Sequence, residues 1–227
     1  SEHVAPLPES VSDDVAATLP VAGLTALHVL DRAPRLIGSR VLVTGATGGV
    51  GSIAVQIAAA GGASVVGQIR QASQQALVER LGAEAVVVTD EATDVESLRE
   101  RFLAAGPFSF VMDGVGGEML AAGLAALDAD GVCVCYGRTS GAGEAPVPYM
   151  SLAGQLSSLV GFNLYSEFRK VPATRGFARL LRLVERGQVN VPIERRADWS
   201  SIGTVADALL DRQFAGMAVL TVSTTAE

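Results

Sequence analysis

The chain has 227 residues, 49% of them apolar and 18% charged, and its 17 basic and 24 acidic side chains leave a net charge of −7. That balance excludes a disordered chain and speaks against nucleic-acid or anionic-membrane partners, while the length allows one large or two small domains with a core of their own. No apolar run reaches membrane-spanning length and no signal peptide is recognisable, so no membrane partner and a cytoplasmic location are expected.

Residues 1–12 read as extended. Ser12-Asp13-Asp14 can cap a helix running through Ala17, Pro20 interrupts it, and Val21 to Leu30 resumes an apolar helical pattern. Arg40 to Thr44 is the first strong strand, and a helical pattern follows to Ala60, ended by Gly61-Gly62. Strands are predicted at Ala63–Ile69, Ala85–Thr89, Phe108–Asp113, Val132–Tyr136 and Leu156–Leu164. Helical patterns at Gln71–Leu81, Asp94–Ala105 and Glu118–Leu127 alternate with them. Residues 138–148 read as a loop. A helix at Ala173–Arg186, a strand at Val189–Glu194, a helix at Trp199–Leu210 and a strand at Ala218–Val222 complete the chain.

Short apolar strands alternating with helices predict an α/β fold, a doubly wound parallel Rossmann sheet in the order 3-2-1-4-5-6. The elements after the sixth strand form a small C-terminal αβ appendage. The expected division is a junction segment and helix over 1–30, a dinucleotide-binding domain over 31–165, and C-terminal helices and strands over 166–227.

The most informative stretch is Val41-Leu-Val-Thr-Gly-Ala-Thr-Gly-Gly-Val-Gly51. A β-branched strand runs into a glycine turn that opens a helix, with the spacing Ala46-x-Gly48-x-x-Gly51. Strand, glycine turn and helix in that order cradle a pyrophosphate on main-chain amides at the positive end of a helix dipole. Ala46, Thr47, Gly48, Gly49, Val50 and Gly51 are therefore candidate cofactor contacts. The strand order puts the ligand crevice beyond the carboxyl ends of the strands, adding Gln68, Asp113 and Val115, with Asp113 read first as a turn-former or ribose neighbour. No acid ends the second strand, where NAD-selective sites carry one; Arg70 stands there instead and can pair with a 2′-phosphate. The cofactor expected is NADPH rather than NADH.

Pro20-Val-Ala-Gly-Leu-Thr-Ala26, Val41-LVTGATGGVGSIAVQIA, Leu81-Gly-Ala83, Met112-Asp-Gly-Val-Gly-Gly117 and Gly216-Met-Ala-Val-Leu220 together resemble the medium-chain dehydrogenase/reductase superfamily. The likeness is to its zinc-independent quinone oxidoreductase and enoyl reductase branch, and it follows the chain from end to end. The resemblance implies hydride transfer to a small-molecule substrate, a quinone or another conjugated carbonyl. It also implies that Thr25 lies near the nicotinamide, that Tyr136, Gly137 and Thr139 border it, and that Phe162 and Asn163 lie across from it. It further implies a homodimer joined through the sixth-strand edge. Three positions depart from the family's pattern. Met217 replaces a lysine in the closing motif, Gln74 a lysine in the 2′-phosphate loop, and Thr89 a tyrosine after the third strand. Family members begin with a GroES-like domain that builds most of the substrate pocket, and Glu2 to Pro8 resembles the junction to it. Val4–Leu7 is expected to pack on Ala218–Val222 as a remnant.

Thr44-Gly45-x-x-x-Gly49-x-Gly51 also satisfies the short-chain dehydrogenase pattern, which needs a Tyr-x-x-x-Lys pair. Lys170 is the only lysine and Ser166 precedes it by four, so that pair does not exist here. Cys133 and Cys135 share one face of a strand and are read as small buried apolar residues. With two cysteines and two histidines no metal site is expected. No catalytic acid stands out, and Tyr136, Tyr149 and Tyr165 are read as packing residues before proton donors. The alternative function is a non-catalytic NADP(H)-binding or assembly module.

Overall fold

The computed structural model describes residues 3–89, 94–147 and 149–222. Glu2 of the junction and Pro148 of the loop lie outside them. A six-stranded parallel sheet has the order β3-β2-β1-β4-β5-β6. Its strands are β1 (Arg40–Val43), β2 (Ser64–Ile69), β3 (Ala85–Val88), β4 (Phe108–Asp113), β5 (Leu127–Cys135) and β6 (Ser158–Gly161). A separate two-stranded parallel sheet joins β7 (Ile193–Asp198) to β8 (Met217–Thr221).

Continuous apolar strands need cover on both faces. On one face pack α1 (Asp13–Thr18), α2 (Leu24–Leu30), α3 (Gly49–Ala60) and α9 (Ala173–Glu185), whose Leu24, Leu27, Ile53 and Leu180 share one buried cluster with Val41, Val43 and Phe110. On the other, α5 (Val95–Ala105) and α6 (Glu118–Ala125) bring Phe102, Leu120 and Leu124 against Leu42, Val66 and Phe108. The shorter α4 (Gln75–Arg80), α7 (Tyr149–Gln155), α8 (Leu164–Glu167) and α10 (Ile202–Leu210) line the margins.

Several boundaries differ from the sequence expectation for identifiable reasons. Pro20 does not break the first helix; it occupies the opening turn of a π-helical segment, Leu19–Gly23, where a missing N–H is tolerated and α1 passes into α2. The helix expected to reach Leu127 stops at Ala125, because Leu127 is drawn into the core and pairs with Phe108. A bulge then carries the chain round to Val132, opposite Phe110. β7 begins four residues later than predicted. Val189 is buried, and Asn190 is tied on both sides to the Gln56 side chain, accepting from Nε2 at 3.0 Å and donating to Oε1 at 2.7 Å. α7 and α8 were not predicted. Asn163 caps α8, its Oδ1 accepting from Ser166 N at 2.9 Å, so the sixth strand is cut short at Gly161. Val4 lies on α9, where its carbonyl accepts from Thr174 Oγ1 at 3.0 Å, while β8 pairs with β7 and runs past α1. The expected packing of Val4–Leu7 on the last strand is thereby corrected.

Candidate functional site

The carboxyl ends of β1, β2, β4 and β5 meet around the glycine turn. Gly45 has φ +62°, a conformation that disfavours a side chain, and its N–H donates to Gln68 Oε1 at 2.8 Å. Ala46 N donates to the Gln68 carbonyl at 2.9 Å, and Gly48 N to the Gly45 carbonyl at 2.9 Å. A Cβ on Gly51 would collide with that same Gly45 oxygen, so the third glycine is demanded by the contact of helix with turn. Gly48 is the N-cap of α3 and offers no side-chain acceptor. Among the described residues the amides of Gly49, Val50 and Gly51 donate to no protein group. Three free N–H groups at a helix N-terminus are what an oxyanion requires.

Gln68 is fully committed inside the protein. Besides receiving Gly45, its Nε2 donates to Thr89 Oγ1 at 2.9 Å, which in turn reaches the Ile69 carbonyl at 3.3 Å. It holds the turn in place. Asp113 is likewise spent on structure: Oδ1 accepts from Thr44 Oγ1 at 2.7 Å and Oδ2 from Gly116 N at 2.8 Å. Burial pushes its carboxyl above the usual range, against the pull of these hydrogen bonds. Of its two readings the turn-forming one describes these bonds. Val115 stands beside Gly45, 3.6 Å from where a Cβ would lie.

The loop after β5 is stitched to the end of β4. Tyr136 N donates to the Asp113 carbonyl at 2.9 Å, and Thr139 N to the Gly114 carbonyl at 3.2 Å. The Tyr136 ring covers Gly114, and Gly137 approaches the Gly114 backbone too closely for a side chain. Burial raises the Tyr136 phenol well above its ordinary value, so it keeps its proton. Phe162 continues from β6, its N–H on the Cys135 carbonyl at 2.8 Å, and Arg32 covers its ring at 5.2 Å. The Asn163 oxygen is taken by its helix cap. Thr25 is buried in α2.

Two residues at this site were missed by sequence reasoning. Arg212, in the turn after α10, is close enough for its charge to depress Arg70, on top of the effect of burial. Its guanidinium donates to the Thr139 carbonyl at 2.6 Å. Met217 lies against Gly49, and the neighbouring Gly216 N donates to the Thr47 carbonyl at 2.8 Å. The C-terminal segment thus lies on the glycine turn. No local pattern in the sequence signals this, since residues 212–217 come far from 45–51 along the chain. Free amides at the head of α3 fit a phosphate of a dinucleotide. Among the described residues no three His, Cys, Asp or Glu side chains cluster for a metal, and burial raises both thiols. No helix among these residues is long and apolar enough to cross a membrane.

Residues 49–184 match the family described as zinc-binding dehydrogenase. The quinone oxidoreductase of Thermus thermophilus, solved alone and with NADPH, is 32% identical, with a TM-score of 0.79 over 93% of this chain and 67% of that one. A mycobacterial quinone oxidoreductase is 28% identical, with a TM-score of 0.83 over 95% and 67%. Among curated proteins, a phenolphthiocerol/phthiocerol polyketide synthase of Mycobacterium tuberculosis is 30% identical over 193 residues, 84% of this chain and 9% of the synthase polypeptide. The human mitochondrial NAD(P)H oxidoreductase RTN4IP1 is 35% identical over 116 residues, 49% of this chain and 28% of that protein. The chain therefore spans less than a third of these curated relatives.

Proposed function

This chain belongs to the zinc-binding dehydrogenase family of the medium-chain dehydrogenase/reductase superfamily, and we propose that it is the cofactor-binding part of an NADPH-dependent, zinc-independent oxidoreductase acting on a quinone, enone or similar conjugated carbonyl. The observation that carries this reading is the glycine turn with its three free amides at the head of α3. NADPH supplies the hydride when bound. Gly49, Val50 and Gly51 hold the pyrophosphate through their amides, with Ala46, Thr47 and Gly48 shaping the turn. Arg70 and Arg212 take the 2′-phosphate. Gln68 and Asp113 hold the two sides of the crevice in register. Val115, Tyr136, Gly137 and Thr139 line the nicotinamide end, with Thr25, Phe162 and Asn163 beyond. No proton donor is assigned; the protein contributes position and electrostatics.

Dissociation constants for NADPH and NADH test the assignment. Arg70→Ala and Arg212→Ala each weaken NADPH about tenfold, the loss of one charge-assisted contact, and leave NADH unchanged. Equal losses for both nucleotides overturn the 2′-phosphate assignment. Oxidation of NADPH with a panel of quinones and enones tests the reaction. A second reading, a non-catalytic NADP(H)-binding or assembly module, draws support from the exposed Trp199, Leu209 and Leu210 beside the small sheet. Tight binding without turnover would favour it. We also propose a homodimer through β6, an edge strand whose neighbours Tyr149, Met150 and Leu156 are exposed; sedimentation as a monomer at micromolar concentration excludes it.

A further inference from the structure

α2, α8 and α9 border a half-open cavity of about 380 Å³ whose charged lining is Asp31, Arg32, Glu167, Arg175 and Arg179, with His28 in its wall. The chain is acidic overall, yet six of its 17 basic residues fall between 169 and 186, where Glu185 is the only acid. Arg179 clamps Asp31 through two hydrogen bonds of 2.6 Å, and Arg32 Nη2 reaches Glu167 at 2.6 Å. Arg175 makes no ion pair or side-chain hydrogen bond among the described residues. The lining thus carries one positive charge in excess, and Lys170, 3.6 Å from Glu167, adds a second beside it.

Two polar atoms there are buried without a partner, Nε of Arg32 and Nε2 of His28. His28 is only 7% exposed. Its Nδ1 lies 3.6 Å from Asp31, and its Nε2 faces Gly176, another lining residue, 3.1 Å from where a Cβ would stand. Buried polar atoms are rarely left unmet, and each such exception calls for an explanation.

We propose that this cavity binds a phosphate group, free or as the head of a small organic phosphate, with Arg175 and Arg32 as its charge partners and the His28 ring in its wall. Two positive charges in excess match a doubly charged phosphate better than a single carboxylate, and the volume exceeds that of inorganic phosphate, leaving room for an organic remainder. The site shares no lining residue with the glycine turn and does not rest on the NADPH reading.

The chain has only two histidines, so His28 reports on this cavity by nitrogen NMR of the imidazole rings, with His3→Gln supplying the assignment. Inorganic phosphate and glycerol 3-phosphate are titrated separately at constant ionic strength, with acetate as control. The expected result is a saturable shift of the His28 ring signals with at least one phosphate, and the tighter of the two identifies the source. Arg175→Ala weakens it about tenfold or more, the loss of a charged hydrogen bond, while Arg182→Ala on the same helix leaves it unchanged. Both arginines are exposed, and circular dichroism checks that each variant is folded. His28 signals that stay still, that move equally with acetate, or that respond alike in Arg175→Ala overturn the proposal.

Discussion

The two sheets of this protein are built on opposite terms. In β1 and β4 almost every side chain is buried, because helices cover both faces. In β7 the side chains alternate, half-buried at Ile193, Arg195 and Ala197 and exposed at Glu194, Arg196 and Asp198. The large sheet carries its own core; the small one is held by side contacts, such as the ion pair of Arg196 with Asp14 on α1. Yet the small sheet reaches the functional end of the large one through Gly216 and Met217. The core therefore lies in the first, while the second is a margin that lies against the glycine turn.

The widest gap between the regions should show in truncations. Phe110→Ala, fully buried between the sheet and its helices, is expected to cost about 3–5 kcal/mol in urea unfolding. Leu210→Ala, 78% exposed on α10, should stay within about 0.5 kcal/mol. Similar losses at both positions would erase the contrast. Next comes Gly51→Ala, which forces a methyl group onto the Gly45 carbonyl: about 1–3 kcal/mol of stability by overpacking. NADPH affinity should fall further than that alone would produce, because the free amides move with the turn; titration calorimetry measures it. Gln68→Ala leaves Gly45 N and Thr89 Oγ1 without their partner and should cost about 1–3 kcal/mol. Reduced NADPH affinity in a variant that is still fully folded would separate its positioning role from a purely structural one.

The smallest effect concerns pH. Burial opposes the ionisation of Asp31, but hydrogen bonds from His28 and Arg179 outweigh it and lower its pKa from 3.8 to about 2. A depressed carboxylate stabilises the fold above its unfolded pKa, and that contribution is lost as pH falls through the folded value. Between pH 3.8 and about 2 stability should therefore drop, and Asp31→Asn should flatten the slope in that window. An unchanged slope would mean that the exposed Arg179–Asp31 pair contributes nothing measurable.

The sheet order and the glycine turn were legible in the amino-acid sequence, because they rest on local facts: apolar runs of strand length and glycines at fixed spacing. β4 and the C-terminal end of α3 could be read to the residue for the same reason. Where the reading slipped, a distant group had intervened. Gln56 holds Asn190 and delays β7; Phe108 draws Leu127 into a strand. Only the tertiary structure decided that Gln68 and Asp113 turn their side chains inward and that Arg212 joins Arg70 from the far end of the chain. Backbone conformation follows from neighbours along the chain, whereas the direction of a buried hydrogen bond or the company of a charge depends on which segments folding brings side by side.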